Sequence, residues 1–162
     1  MIETNKSAVF SECRKYRYLL TREWNSQRPS AMCIGLNPSN ANAYKDDPTI
    51  RILVATLNHL GYGELKMCNL YALISSTPKT LFEVPDALGL NDQWLETTAH
   101  SVQEIIFCWG AFKNIEHRVK KVMQMFPSAK CFGMNDNRTP IHPMALMYGG
   151  IKLEDRKLFA YP

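Results

Sequence analysis

The order of apolar and polar positions divides the chain in two. Residues 8–22, AVFSECRKYRYLLTR, read as two short strands around a polar turn, a hairpin expected at an edge of a sheet. From Ala31 onward, short apolar runs alternate with segments of helical period. AMCIG (31–35), ELKMCNLYAL (64–73), EIIFCWG (104–110) and AKCFGM (129–134) read as strands. PTIRILVATLNHLGYG (48–63), NDQWLETTAHSV (91–102) and FKNIEHRVKKVMQMF (112–126) read as helices. Such alternation marks crossover units. The expected fold is therefore α/β, three layers with a central, mainly parallel sheet covered by helices on both faces, plus the N-terminal β-hairpin.

The first helix has a clear start. Asp47 can cap it and Pro48 suits its first turn, while Ile50, Leu53, Val54, Leu57 and Leu60 form a core-facing stripe before Gly61 and Gly63 stop it. In the last helix Ile115, Val119, Val122, Met123 and Phe126 share one side. Lys113, Arg118, Lys120 and Lys121 fall elsewhere and read as a solvated basic face. Residues 73–92, with Pro78, Pro85 and Gly89, read as a connecting loop. The 162 residues suit one domain spanning 1–162.

Composition narrows the function classes only a little. Nineteen Lys and Arg against fifteen Asp and Glu give a net charge of +4, which permits nucleic acid as a partner without requiring it. Cys13, Cys33, Cys68, Cys108 and Cys131 occur singly, and no Cys/His cluster has the spacing of a zinc or iron–sulfur site, so no metal is expected. Four of these cysteines sit in apolar runs as small buried hydrophobes, and five unpaired thiols suit a reducing, cytoplasmic setting. No stretch approaches the length of a membrane span, and a soluble monomer is the expectation.

In a parallel sheet, ligands bind beyond the carboxyl ends of the strands. The first apolar run stops at Gly35-Leu36-Asn37-Pro38-Ser39. There Gly35 permits close backbone approach and Pro38 fixes the turn, and Asn37 either aims its amide into a cleft or makes an ordinary Asx turn. The second run holds Asn69 within Met67-Cys68-Asn69-Leu70-Tyr71. A buried amide must satisfy a donor and an acceptor, against backbone or against a ligand of complementary pattern, such as the carbonyl and adjacent N–H of a uracil or thymine ring. The third run ends Phe107-Cys108-Trp109-Gly110, with Trp109 read as core. The fourth candidate is Ile141-His142-Pro143, a histidine held by the following proline in a loop, better placed than His59, His100 or His117.

Taken in order, these four segments resemble the uracil-DNA glycosylase superfamily. Its first motif, G-x-[DN]-P-x, is matched by GLNPS (35–39); its uracil-reading Asn by MCNLYAL (67–73); its Leu-Trp-Gly strand end by FCWG (107–110); and its His-Pro motif by HPMAL (142–146). The chain is similar, too, to an uncharacterised bacterial and phage family sharing YRYLL (16–20), the NPS, DDPTI (46–50) and the late HP. The superfamily resemblance implies hydrolysis of the N-glycosidic bond of uracil in DNA, without cofactor or metal, after flipping of the nucleotide. It implies that His142 donates to the base O2 as charge develops, that Asn69 reads the O4 and N3–H edge, and that Asn37 places the attacking water. It further places Gly35, Ser39 and Tyr71 against the base, and gives Pro38, Pro143 and Leu146 to DNA contact, Leu146 as the wedge filling the hole left by the flipped base.

The chain departs from the superfamily pattern in ways that shape the expectation. An amide at Asn37 cannot take the water's proton, so Asp46 is considered as an auxiliary base and Asp47 as the helix cap. Ser39 stands where the strict uracil branch has a ring-blocking Tyr, which would admit 5-substituted uracils. Met144 and Met147 replace phosphate-gripping serines, and Tyr44 and Tyr71 are the candidate stacking aromatics. Two other readings stand beside the glycosylase: a non-catalytic module that holds DNA, and an enzyme of free nucleosides or nucleotides.

Overall fold

In the computed structural model, which describes residues 3–84 and 86–162, seven strands form one sheet. They are β1 (Asn5–Phe10), β2 (Arg17–Glu23), β3 (Ser30–Gly35), β4 (Glu64–Asn69), β5 (Glu104–Phe107), β6 (Lys130–Cys131) and β7 (Phe159–Ala160), in the order β1-β2-β4-β3-β5-β6-β7. The four central strands, β4, β3, β5 and β6, run parallel; β1, β2 and β7 join antiparallel at the two margins. The expected architecture is present. The N-terminal hairpin is woven into the sheet through β2 against β4, with Leu20 opposite Met67, and does not fold over the strand ends.

All six residues of β3 are buried, as a strand covered on both faces must be. Its side chains alternate between two cores. Cys33 joins Leu20, Ile50, Leu53, Leu57 and Leu146 on the face covered by α1 (Pro48–His59) and α4 (Pro143–Tyr148). Met32 and Ile34 join Leu95, Phe107, Trp109 and Val122 under α2 (Asn91–Ala99) and α3 (Glu116–Met125). Each fully buried aliphatic chain contributes roughly 1.5–3 kcal/mol of burial free energy.

The start of α1 follows its sequence signals: the Asp47 carboxylate accepts from the Ile50 N–H at 2.9 Å and Pro48 opens the first turn. Three features depart from the sequence expectation. His142-Pro143 opens a helix, α4, where a loop was expected, because Pro at the first helical position is already shaped for it. The chain also returns after α4 to add β7 at the margin. Finally, Arg118 is 4% exposed and not part of a solvated face. It lies three residues after Ile115 and four before Val122, on the buried stripe of α3, where its Nε donates to the Leu70 carbonyl at 2.7 Å and its guanidinium pairs with Asp92.

Candidate functional site

Parallel pairing brings three strand ends level: Gly35 stands opposite Asn69, and Ile34 opposite Phe107. Above them lies a cavity of about 260 Å³ whose wall includes Gly35, Asn37, Ser39, Asn69, Trp109, His142 and Pro143. Six residues proposed for the site from sequence thus share one wall, joined by Trp109, which was read as core. The cavity is slightly smaller than the roughly 300–1,000 Å³ of drug-sized ligand sites, a size suited to a single small ring system. Gly35 has a steric reason to be there. A Cβ at this position would stand 2.7 Å from Met67 Cε and 2.9 Å from Asn69 Oδ1, so only glycine lets the Asn69 carboxamide lie against the strand.

Asn69 is 3% exposed, and its Nδ2 has no hydrogen-bond partner among the described residues. An unmet buried donor costs about 1–3 kcal/mol, so this amide is poised for an acceptor that the cavity admits. Its backbone is held firmly: Asn91 donates to the carbonyls of Asn69 (2.7 Å) and Leu70 (3.2 Å). His142 is fixed from its other side. Its Nδ1 accepts from the Met144 N–H at 3.1 Å as the cap of α4, which places the proton of the neutral ring on Nε2. Burial lowers its pKa from the ordinary value, with Asp47 pulling weakly the other way, so the ring is neutral at pH 7 and a hydrogen-bond donor. Gly110, at φ +82°, clears the space behind it; a Cβ there would meet His142 Cβ at 3.3 Å.

Asn37 serves mainly as a fastening. Its Nδ2 donates to the carbonyls of Pro38 (3.1 Å), Leu73 (3.4 Å) and Ser75 (2.9 Å), stitching the end of β3 to the segment after β4. The stitch leaves its Oδ1 as the group able to hold a water.

Among the wall residues not selected as site residues from sequence, two are charged. Arg17, at the start of β2, is 4% exposed, donates from Nη1 to the Ala41 carbonyl at 2.9 Å and leaves Nε without a partner among the described residues. Burial pulls its pKa down to about 10 and Asp47 opposes that fall, so it stays a cation at neutral pH. Asp47, read from sequence only as a cap, does more: one carboxylate oxygen caps α1, and the other receives the Ser39 hydroxyl at 3.4 Å on the cavity wall.

Five sequence candidates lie elsewhere, each for a physical reason. Asp46 turns away to the hairpin, where it takes Arg22 Nε at 2.7 Å and Lys6 Nζ at 3.1 Å. Tyr44 is 89% exposed on a loop held by Asn42. Tyr71 leans on the core beneath α2 and α3, because β4 ends at Asn69 and the alternation of faces ends with it. Pro38 is buried and presents no surface to a polymer. Leu146 is 0% exposed and belongs to the core beneath α1 and α4, so it is no wedge.

A family model described as a protein of unknown function (DUF1643) matches residues 17–144. The chain belongs to that family. Every residue lining the cavity, from Arg17 to Pro143, falls within the DUF1643 match. Comparison with curated proteins and with solved structures gave no match.

Proposed function

We propose that the cavity holds a uracil-type base and that the protein hydrolyses the N-glycosidic bond joining it to deoxyribose in DNA, with 5-substituted uracils among its substrates. The observation that carries this reading is the pairing, in one small cavity, of the unpartnered amide of Asn69 with a neutral histidine whose N–H is directed by its own cap. An amide presents an acceptor beside a donor, the complement of the N3–H and O4 edge. A neutral imidazole keeps its Nδ1 lone pair for the helix cap while its Nε2–H stabilises charge growing on O2. Ser39, small and engaged with Asp47, leaves the ring's 5 position unblocked.

In this mechanism the C1′–N1 bond breaks with its electrons going to the base, whose O2 receives the His142 Nε2–H bond. Water bound by the Asn37 carboxamide oxygen attacks C1′, and its proton passes to the Asp47 carboxylate. Asp47 takes the role considered for Asp46 in the sequence, since it lies on the wall and Asp46 does not. No group of three or more metal-ligating side chains exists among the described residues. Among the described residues no helix is long and apolar enough to cross a membrane. The scattered free thiols support a cytoplasmic location.

The test is release of uracil from a labelled single-stranded oligonucleotide, read as alkali-sensitive cleavage. Wild type should cleave at uracil, while His142→Ala and Asn69→Ala should each lose at least about 100-fold. No cleavage by wild type at uracil, 5-hydroxymethyluracil or mismatched thymine would remove this reading. A second reading, an enzyme of free nucleosides or nucleotides, is favoured by the burial of Leu146, since a monomer needs no wedge. It predicts release from deoxyuridine with no gain from a polymer.

A further inference from the structure

The residue at the wedge position lies in the core, yet the turn that leaves the cavity wall at Pro78 carries exposed aromatic surface of another kind. Pro78 lines the cavity and opens a 3-10 turn, Pro78–Phe82, whose last residue lies about 8 Å further along at ~2 Å rise per residue. Phe82 is 50% exposed. Its ring stacks on Phe112, with centroids 6.1 Å apart and planes within 6°. Phe112 in turn follows three residues after Trp109, which is itself on the cavity wall. Beyond Phe112 an apolar groove continues along α3, bordered by Lys113, Val119, Lys120, Met123 and Thr139.

Exposed rings beside lysines, without hydrogen-bonding groups arranged to read base edges, are what sequence-tolerant single-strand binding requires: bases stack on the rings and cations follow the phosphates. Lys79, Lys113 and Lys120 are exposed and enter no ion pair among the described residues, and of the residues lining the groove two are lysines, Lys113 and Lys120, against one carboxylate, Glu116. We propose that the Phe82–Phe112 pair and the groove beyond it form a lane for single-stranded polynucleotide, with the base next to the one in the cavity stacked on Phe82. The inference rests on the reading of the cavity as a base pocket. It also sets the strandedness: with Leu146 in the core and so not there to hold open a duplex, the substrate arrives already unpaired.

The experiment is fluorescence anisotropy with labelled oligothymidylate, free and annealed to oligoadenylate, on the full chain. Wild type should bind the single strand more tightly than the duplex. Phe82→Ala should weaken single-strand binding roughly 5- to 100-fold, Phe82→Trp should restore it, and Tyr148→Ala, an exposed aromatic over the opposite face of the sheet, should leave it unchanged. An unchanged thermal midpoint in Phe82→Ala identifies the loss as a loss of contact. The proposal is overturned if wild type binds neither form, if duplex binds as well as single strand, if Phe82→Ala binds as wild type does, or if Tyr148→Ala loses as much. Strand binding with no release of uracil would leave the lane standing and remove the glycosidase. Uracil release with no Phe82-dependent strand binding would do the reverse.

Discussion

Asp46 and Asp47 adjoin in the chain and face two regions whose demands on a carboxylate are opposite. On the hairpin side Asp46 is paired with two cations: Arg22, fully buried, and Lys6 both donate to it, and Arg22 reaches on to the carbonyls of Thr21 and Asn42. That cluster is a clamp, joining the hairpin to the loop that precedes α1. On the cavity side Asp47 has one oxygen committed to the helix and the other on a long bond from Ser39, with Arg17 and His142 near enough to feel its charge. Each carboxylate accepts two hydrogen bonds, but the donors to Asp46 are cations that hold its charge in place, whereas those to Asp47 are neutral and leave it facing the cavity, where a proton can reach it.

The comparison is broken most severely through Asp47. Asp47→Asn keeps the cap, since Asn caps about as well as Asp, so stability should hold within about 0.5 kcal/mol while uracil release falls roughly 100-fold or more. Retained activity would return Asp47 to a purely structural role. Asp46→Ala should do the opposite, costing about 3 kcal/mol in denaturant unfolding because it strands the buried Arg22 charge. Its effect per folded molecule on activity should be small.

The pH dependence of stability sharpens the contrast less dramatically. Burial alone would raise the Asp46 pKa, but hydrogen bonds from Arg22 and Lys6 outweigh it and hold the carboxyl below its ordinary value. A lowered folded value means stabilisation that is present above about 3.9 and fades as the pH falls through the folded value, and Asp46→Asn should flatten that limb of a urea-stability profile. His142 is lowered as well, by burial. Its contribution is complete above about 6.5 and declines as the pH falls from there toward its folded value, as protonation takes the lone pair that caps α4. His142→Asn, which can still cap, should remove that decline.

Much of this is legible in the sequence itself. The alternation of apolar runs and amphipathic segments carries the parallel core because it is a local signal repeated along the chain. Gly35, Asn69 and His142 stand out because each is a residue type out of keeping with its immediate surroundings. The misplacements share a cause: they depend on where a side chain points once regular structure stops. Tyr71 has the parity of Asn69, but the strand has ended between them. Asp46 and Asp47 sit in an irregular stretch with no period to sort them. Leu146 reads as a loop residue until Pro143 is recognised as a helix start, after which a place on the buried side of a short helix follows. Arg17 gives no signal as one of four closely spaced cations with Arg14, Lys15 and Arg22; only the neighbouring chain ends make it part of a wall.

The stitch made by Asn37 has an architectural consequence. The segment leaving Ser75 is pinned at its near end by that one carboxamide and by the bond from the Ser75 N–H to the Pro38 carbonyl. At its far end it is tied by Tyr16 to the Asp86 carbonyl and by the Ala72 and Leu73 N–H groups to Ala87. Floor and rim of the cavity are therefore separate modules. The floor is strand ends, locked in register by the sheet, whereas the rim is a span slung between two fixed moorings. Insertions or replacements within such a span can retune which molecules gain entry while leaving the groups beneath untouched, so one scaffold can acquire new clientele by exchanging a single loop.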